Sequence, residues 1–187
     1  METTHSLAGH LLVAMPSMAD PNFEHSVTYI CEHTDQGALG ITINRPLDMD
    51  LREVLEQLSL QAPPADMLSQ QVLRGGPVQS ERGFVIHEAN NNWEGTTEVG
   101  HSIFVTTSKD ILTDVAEGRG PERLLMALGY AGWGAGQLEE EIRQNAWLTV
   151  PASKELVFET PIEQRWRAAA SSIGIHPSSL ILNPGNA

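Results

Sequence analysis

The order of strand-like and helix-like segments constrains the fold more than any other feature of this sequence. Six runs rich in β-branched and aromatic residues, each bounded by turn-forming residues, lie before residue 108. They cover residues 9–15, 25–33, 37–46, 71–78, 83–88 and 101–107. Helical patterns dominate the remainder. This order predicts an α+β fold rather than a doubly wound sheet.

Helical spacing of apolar residues predicts five helices, over residues 51–60, 109–118, 120–132, 137–145 and 161–174. Asp50 is placed to cap the N-terminus of the first helix, and Ser108 that of the second. Gly118 is placed to end the second helix. Pro121 suits the first position of the third helix. Residues 129–136 then predict a glycine-rich corner between two helices. Two strands are predicted at residues 146–152 and 155–159.

The chain length fits one domain. A chain of 187 residues buries enough surface for a single core, and the sequence has neither internal repeats nor a linker. We therefore predict one domain over residues 1–187, with a flexible tail at about residues 180–187. The only cysteine is Cys31, so there is no internal disulfide, which suits a reducing cytosol.

The charge balance is strongly acidic. Twenty-four acidic residues face 11 basic ones, for a formal net charge of −13. Arg165 and Arg167 are the closest basic pair, and no basic cluster is present, so the sequence argues against direct nucleic-acid binding. The N-terminal region has no basic segment and no long apolar run. We expect a soluble, cytoplasmic protein with no membrane partner.

Cys31 and His33 form the first candidate site. In a regular strand over residues 25–33, both side chains point to the same face as Val27 and Tyr29. Apolar surroundings keep a thiol protonated, so a structural role is the favoured interpretation of Cys31. A thiol-dependent enzyme or redox sensor, with His33 as the base, is the alternative.

The loop over residues 14–25 is the second candidate. Met15 and Phe23 could line an adaptable apolar surface, with Asp20 and Glu24 at its rim. Turn formation and a return of Phe23 to the core are the competing interpretation.

Two further stretches add ligand-binding candidates. Gly75 and Gly76 indicate a sharp turn or a close backbone approach, and Arg82 lies near enough to receive an anion. Trp133, within the later glycine cluster, could form a ligand edge or simply pack.

No catalytic signature is present. The sequence lacks a hydrolase elbow, a dinucleotide fingerprint, a phosphate loop and a metal-ligand spacing among its seven histidines. It therefore favours a protein without a metal or cofactor, and leans against an enzyme.

Four stretches together resemble the bacterial AlgH/YqgE family. They are GHLLVAMPSMADPNFEHSVTYICEHTDQGALGITINRP, VLRGGPVQSERGFVIH, SKDILTDVAEGRGPERLLMALGYAGWGAGQLEEEI and NAWLTVPA. The resemblance implies a bifurcated, mostly antiparallel sheet with a small closed barrel, surrounded by helices. It brings no activity or catalytic residues, although some members carry a transcriptional-regulator label.

Together these features favour a non-catalytic binding or regulatory module that acts through an unknown protein or small-molecule partner. The alternatives are the Cys31 thiol function and a transcription-related regulator that does not contact DNA directly.

Overall fold

The computed structural model describes residues 6–21, 23–62, 65–88, 93–100 and 102–173, so the predicted tail at 180–187 lies outside the described residues. The strands are β1 His10–Ala14, β2 Val27–Thr34, β3 Gly37–Thr42, β4 Pro46–Asp50, β5 Gln71–Arg74, β6 Val78–His87, β7 Thr96–Gly100, β8 Ile103–Thr106, β9 Leu124–Gly134 and β10 Trp147–Pro151. The helices are α1 Leu51–Gln57, α2 Asp110–Ala116, α3 Gln137–Arg143 and α4 Arg165–Ser171.

The strands form one ten-stranded sheet that branches at β9. The main path runs β10-β1-β2-β3-β9-β6-β8-β7, and β5, which also pairs with β4, joins β9 beside it. Along one edge, β9 pairs antiparallel with β3 near Ala131 and parallel with β5 at Ala127. All the other pairings are antiparallel. The predicted α+β class with a bifurcated, mostly antiparallel sheet is confirmed, and the sheet curls into a half-barrel.

The predicted helix at 120–132 is wrong, because Leu124–Gly134 is the central strand β9. Its first four residues are all buried, since the sheet is covered on both faces at this point. A strand buried on both faces gives a continuous apolar run, which has the same pattern as a short buried helix. The predicted corner between two helices at residues 129–136 is wrong for the same reason. It is the end of β9 and the turn into α3.

The remaining segments follow the prediction in most places. Asp50 caps α1 in a reciprocal capping box with Glu53. The second helix begins at Asp110, and the Ser108 hydroxyl donates to the Asp110 carboxylate instead of capping the backbone. The predicted strand at 155–159 is wrong, because Glu155–Glu159 forms a π-helical turn. The final helix is confirmed, and Ile162–Gln164 forms a short 3₁₀ turn before it.

Both faces of the curled sheet are covered. The concave face buries large side chains such as Leu11, Tyr29 and Ile86, and α4 packs Ala169 and Ala170 against them. On the convex face, α1 and α2 form one apolar cluster with the residues around β9, and α3 forms another with β1 and β10. Burial of a large aliphatic side chain contributes about 1.5–3 kcal/mol, so this double-sided packing is the main source of stability.

Candidate functional site

An irregularity in β2 determines where the Cys31 and His33 side chains lie. Ile30 pairs with Gly40 and Glu32 pairs with Leu39, so Cys31 is the extra residue of a β-bulge. A bulge of this kind shifts the alternation of side chains by one position. The predicted shared face for Cys31 and His33 is therefore wrong.

The two side chains have separate surroundings. Cys31 packs against the concave core, whereas His33 is buried near α3. The His33 Nδ1 accepts a hydrogen bond from the Leu7 backbone N–H at 2.9 Å, and its Nε2 lies 3.0 Å from the Glu139 carboxylate. These contacts use both ring nitrogens for structure. His33 is thus not placed to act as a base toward the thiol.

The chemistry of the thiol agrees with its position. Burial, and secondarily the neighbouring Glu32 carboxylate, raise the pKa of the Cys31 thiol above its ordinary value. The Cys31 Sγ has a weak contact of 3.8 Å with the Tyr29 carbonyl. At neutral pH the group is a protonated thiol, which is a poor nucleophile.

The described part of the loop over residues 14–25 is folded onto the body of the protein. The Asp20 carbonyl accepts hydrogen bonds from the N–H groups of Phe23 and Glu24, each at 2.9 Å. The Arg45 guanidinium donates to the Glu24 carbonyl at 2.6 Å, and the Met15 N–H donates to a carbonyl in the turn before β10. These contacts tie the described part of the loop to neighbouring segments.

The structure brings Phe23 and Trp133 together, as part of a packed aromatic cluster. Their ring centroids lie 6.2 Å apart, and Trp147 lies 5.7 Å from Phe23. The indole N–H groups of Trp133 and Trp147 both donate to the Glu141 carboxylate, at 3.0 and 2.9 Å. Trp133 is only 6% exposed. Its geometry is that of a packing residue rather than a ligand edge.

Gly75 and Gly76 mark a close approach of two backbones. A Cβ on Gly76 would lie 2.2 Å from the Tyr130 carbonyl carbon, and one on Gly75 would lie 2.2 Å from the Gly129 carbonyl oxygen. Only a residue without a side chain allows β9 and the loop after β5 to pass at this distance. Both residues are buried, so their role is architectural.

Arg82 is the predicted ligand residue that lines an open cavity, here called the Arg82 cavity. Its volume is about 440 Å³, and it lies on the concave side between the β2 bulge and the β7–β8 hairpin. Its lining comprises Cys31, Glu32, Leu39, Arg82, Phe84, Gly95, Thr96, Thr97, Val99, Val105 and Thr107. The loop residues Met15, Asp20, Phe23 and Glu24 do not take part in it.

The polar groups of the Arg82 cavity are held by neighbouring contacts. Arg82 and Phe84 lie two positions apart on β6, and the guanidinium carbon lies 5.1 Å from the Phe84 ring centroid. The Thr96 hydroxyl is 2.7 Å from the Thr106 hydroxyl, which is 2.7 Å from the buried His87 ring. One wall therefore presents a cation on an aromatic ring. The Thr96 hydroxyl is directed toward Thr106, which does not line this cavity, so the other wall presents Thr97 and Thr107.

Sequence reasoning found Arg82 and Cys31 but not the rest of this cavity. Phe84 at i+2 from Arg82 was an available signal, since alternate residues of a strand share a face. The contribution of Thr96 and Thr97 was not available, because β7 is a short, largely exposed strand that its composition did not reveal.

Metal-binding clusters and membrane-spanning helices are both absent from the part of the chain that the structure describes. No group of three or more histidine, cysteine or acidic side chains there is placed to hold a metal ion. No helix in the same ranges is long and apolar enough to span a bilayer.

Fold and cavity together define the class: an α+β half-barrel protein with an open cavity of mixed polar and apolar lining on its concave side. The model of the AlgH-like family, DUF179, matches residues 11–178, and the chain belongs to this family. The resemblance seen in the sequence is thereby confirmed.

Relatives and solved structures agree with this assignment. The UPF0301 protein of Alcanivorax borkumensis is 51% identical over 178 residues, which cover 94% of each chain. The UPF0301 protein of Thioalkalivibrio sulfidiphilus is 48% identical over 187 residues and covers both chains fully. The solution structure of the AlgH protein from Pseudomonas aeruginosa has a TM-score of 0.78 at 48% identity, with both chains fully covered.

A crystal structure of a Corynebacterium diphtheriae protein has a TM-score of 0.72 at 22% identity, covering 97% of this chain and 93% of that one. At this level of identity the likeness concerns the fold alone. The family assignment therefore indicates the architecture of the protein but does not indicate a reaction.

Proposed function

We propose that this protein is a non-catalytic binding module of the bacterial cytoplasm, and that it holds a small polar anion in the Arg82 cavity. The observation that carries the proposal is the Arg82 guanidinium itself. It lines an open cavity of about 440 Å³, and no carboxylate in the described part of the chain lies within 4 Å of it. A planar guanidinium without a carboxylate partner is suited to binding a carboxylate or phosphate group.

The other lining groups narrow the ligand class. Glu32 lies at the same cavity, so a second negative charge on the ligand would be repelled there. The Thr97 and Thr107 hydroxyls can donate or accept hydrogen bonds. These groups favour a ligand that combines one anionic group with a hydroxyl or ammonium group on its opposite side.

Several features support binding over catalysis. Cys31 is a protonated thiol, and His33 is held on the other face of β2 by Leu7 and Glu139. The hydrogen bond of the Cys31 thiol goes to the Tyr29 carbonyl rather than to a base. The thiol function therefore gains no support from geometry. A transcription-related role also gains none, and the net charge of −13 still argues against direct DNA contact.

A thermal-shift screen of the full chain against hydroxy acids, amino acids and phosphate monoesters tests the proposal. At least one compound should raise Tm by several degrees, because a ligand at 100 times its Kd adds about 2.7 kcal/mol of stability. Arg82→Gln should abolish the shift. Arg167→Gln is the matched control, since Arg167 is also exposed and lies on α4, outside this cavity.

Two results would overturn the proposal. One is a panel in which nothing raises Tm of the wild-type chain, and the other is a ligand-induced shift that Arg82→Gln retains. Turnover of a bound compound, lost on substitution of Cys31, would instead establish the thiol alternative.

A further inference from the structure

A second arginine, Arg165, is buried without a carboxylate partner. Only 6% of its surface is exposed. The Arg165 Nε donates to the Thr160 carbonyl at 3.0 Å, and Nη1 donates to the Ile43 carbonyl. The Nη2 group makes no hydrogen bond to the described part of the chain. No carboxylate in that part lies within 4 Å of the guanidinium.

This arrangement differs from that of the ion-paired arginines. Arg119, Arg123 and Arg143 each have a carboxylate oxygen at 2.6–2.7 Å, and their side chains are 35–68% exposed. Arg165 is more deeply buried than these three arginines, yet it lacks the carboxylate partner that each of them has. Burial lowers the pKa of Arg165 to about 10, although the Glu163 carboxylate acts in the opposite direction. Two carbonyl dipoles satisfy donors, but they do not neutralise a buried charge.

Arg165 lines a cavity of about 270 Å³, here called the Arg165 cavity. Much of its wall is apolar, with Leu73 from β5, Leu124 from β9 and Phe158 and Ile162 from the two turns before α4. The amide side chains of Gln70 and Gln71 also line it. Glu159 lies on the lining as well, but its carboxylate is paired with Arg123 at 2.7 Å.

We propose that the Arg165 cavity is a second ligand site, which takes a short-chain monocarboxylic acid. The carboxylate accepts hydrogen bonds from the free side of the Arg165 guanidinium and supplies the missing negative charge. The hydrocarbon chain lies against Leu73, Leu124 and Phe158, where it leaves water for an apolar wall. A carboxylate with an apolar tail fits this combination better than phosphate, which has no apolar part for that wall.

Calorimetric titration of the full wild-type chain with hexanoate, and separately with hexan-1-ol, tests this inference. The two probes share the same hydrocarbon chain length and differ in the charged group. Hexanoate should bind saturably and at least about tenfold more tightly than the alcohol, because hydrogen bonds to charged groups contribute about 1.5–3 kcal/mol. Equal affinities, or no saturable hexanoate binding, would show that Arg165 only ties the Thr160 and Ile43 carbonyls together.

Two readouts keep the test decisive even if Arg165 variants fold poorly. In ¹H–¹⁵N NMR spectra, hexanoate should shift the Arg165 Nε–H resonance, and hexan-1-ol should not. Gln71→Glu adds a negative charge at the exposed rim and should weaken hexanoate binding at least threefold. The control substitution Gln57→Glu, at an exposed position of α1, should leave the hexanoate affinity unchanged. A hexanoate affinity that Gln71→Glu does not alter, with no Nε–H shift, would place the probe elsewhere and overturn the proposal.

Discussion

The Arg82 cavity and the Arg165 cavity use the same side chain in opposite surroundings. Arg82 is exposed, lies against the Phe84 ring and shares its cavity with threonine residues. Arg165 is 6% exposed and donates to two backbone carbonyls beside an apolar wall. Water screens the charge of the first residue, while burial leaves the second to be stabilised by the protein or by a ligand. The difference indicates that an exposed arginine can be devoted to binding, whereas a buried one must also hold the fold.

The largest expected effect follows from removing the buried guanidinium. Arg165→Met leaves the Thr160 and Ile43 carbonyls without their donor, and the expected loss of unfolding free energy is about 2–5 kcal/mol. Arg82→Met should cost less than about 1 kcal/mol, since it removes an exposed cation–π contact. Urea unfolding of both variants measures the two values.

The opposite ranking would break the comparison. If Arg165→Met were as stable as the wild type, the cost of burying its charge would cancel the benefit of its two hydrogen bonds. Arg167→Met serves as the control for loss of an exposed arginine on the same helix, and we expect a change within about 0.5 kcal/mol.

The second effect concerns the glycine crossing beside the Arg165 cavity. The Thr42 N–H donates to the Gly75 carbonyl at 2.8 Å, so this crossing fixes the end of β3, where Ile43 accepts from Arg165. Gly76→Ala forces a Cβ against the Tyr130 backbone and should cost about 2–3 kcal/mol, as overpacking does.

Gly132→Ala is the matched control for this substitution. A Cβ there meets only the Tyr130 ring at 3.7 Å, which is an ordinary contact. Thermal denaturation of the two variants should therefore give a clearly lower Tm for Gly76→Ala. Equal values would mean that the backbones can separate without cost to the fold.

The third effect is a pH dependence at Glu88, which Arg123 links to Glu159 on the lining of the Arg165 cavity. Hydrogen bonding with Arg123 lowers the pKa of Glu88, and the Lys154 charge adds to this. A depressed carboxyl pKa contributes stability that is complete above the unfolded value of about 4.3 and is lost as pH falls through the folded pKa. Wild-type stability should therefore fall more steeply between about pH 5 and pH 3 than that of Glu88→Gln.

Urea midpoints across this pH range provide the measurement. Glu98→Gln removes an exposed carboxyl group on β7 that has no ion pair in the described ranges, and it should keep the wild-type slope. If Glu88→Gln also kept that slope, the ion pair with Arg123 would contribute nothing to folding.

The smallest effect is expected at Cys31 in the Arg82 cavity, and it concerns the reactivity of the thiol rather than the stability of the fold. Because burial raises the pKa of its thiol, iodoacetamide should alkylate the native protein at least about tenfold more slowly than a free thiol with a pKa near 8.5. In urea the two rates should converge. Rapid labelling of the native protein at neutral pH would contradict the assignment of Cys31 as an unreactive thiol and would support the thiol-dependent alternative.

Local sequence signals predicted a large part of the fold. The apolar spacing of Leu51, Val54 and Leu55, with Asp50 before them, was sufficient for α1, because a capped amphipathic helix depends on neighbours within a few positions. Turn residues likewise located β1, β2 and β8. They did not identify β9, because a strand buried on both faces lacks the alternation of apolar and polar residues that marks a half-buried strand.

The candidate sites were less accessible to sequence reasoning. Arg82 was identified as an anion receptor, and this assignment stays a prediction until it is tested. Phe23 and Trp133 were also named, but the structure packs them against each other. The Cys31 and His33 side chains lie on different faces because β2 contains one extra residue, and the residue pattern of that strand does not predict this bulge.

The sequence by itself determined the family and the α+β class, since these depend on composition and on local patterns. Only the tertiary structure decided that Arg165 is buried while Arg167, two residues later, is exposed. Residues two apart point to different sides of a helix, and the Ile43 carbonyl that accepts from Arg165 lies 122 residues away. A contact over that distance leaves no local trace, because it exists only once the sheet has curled and α4 has packed on its concave face.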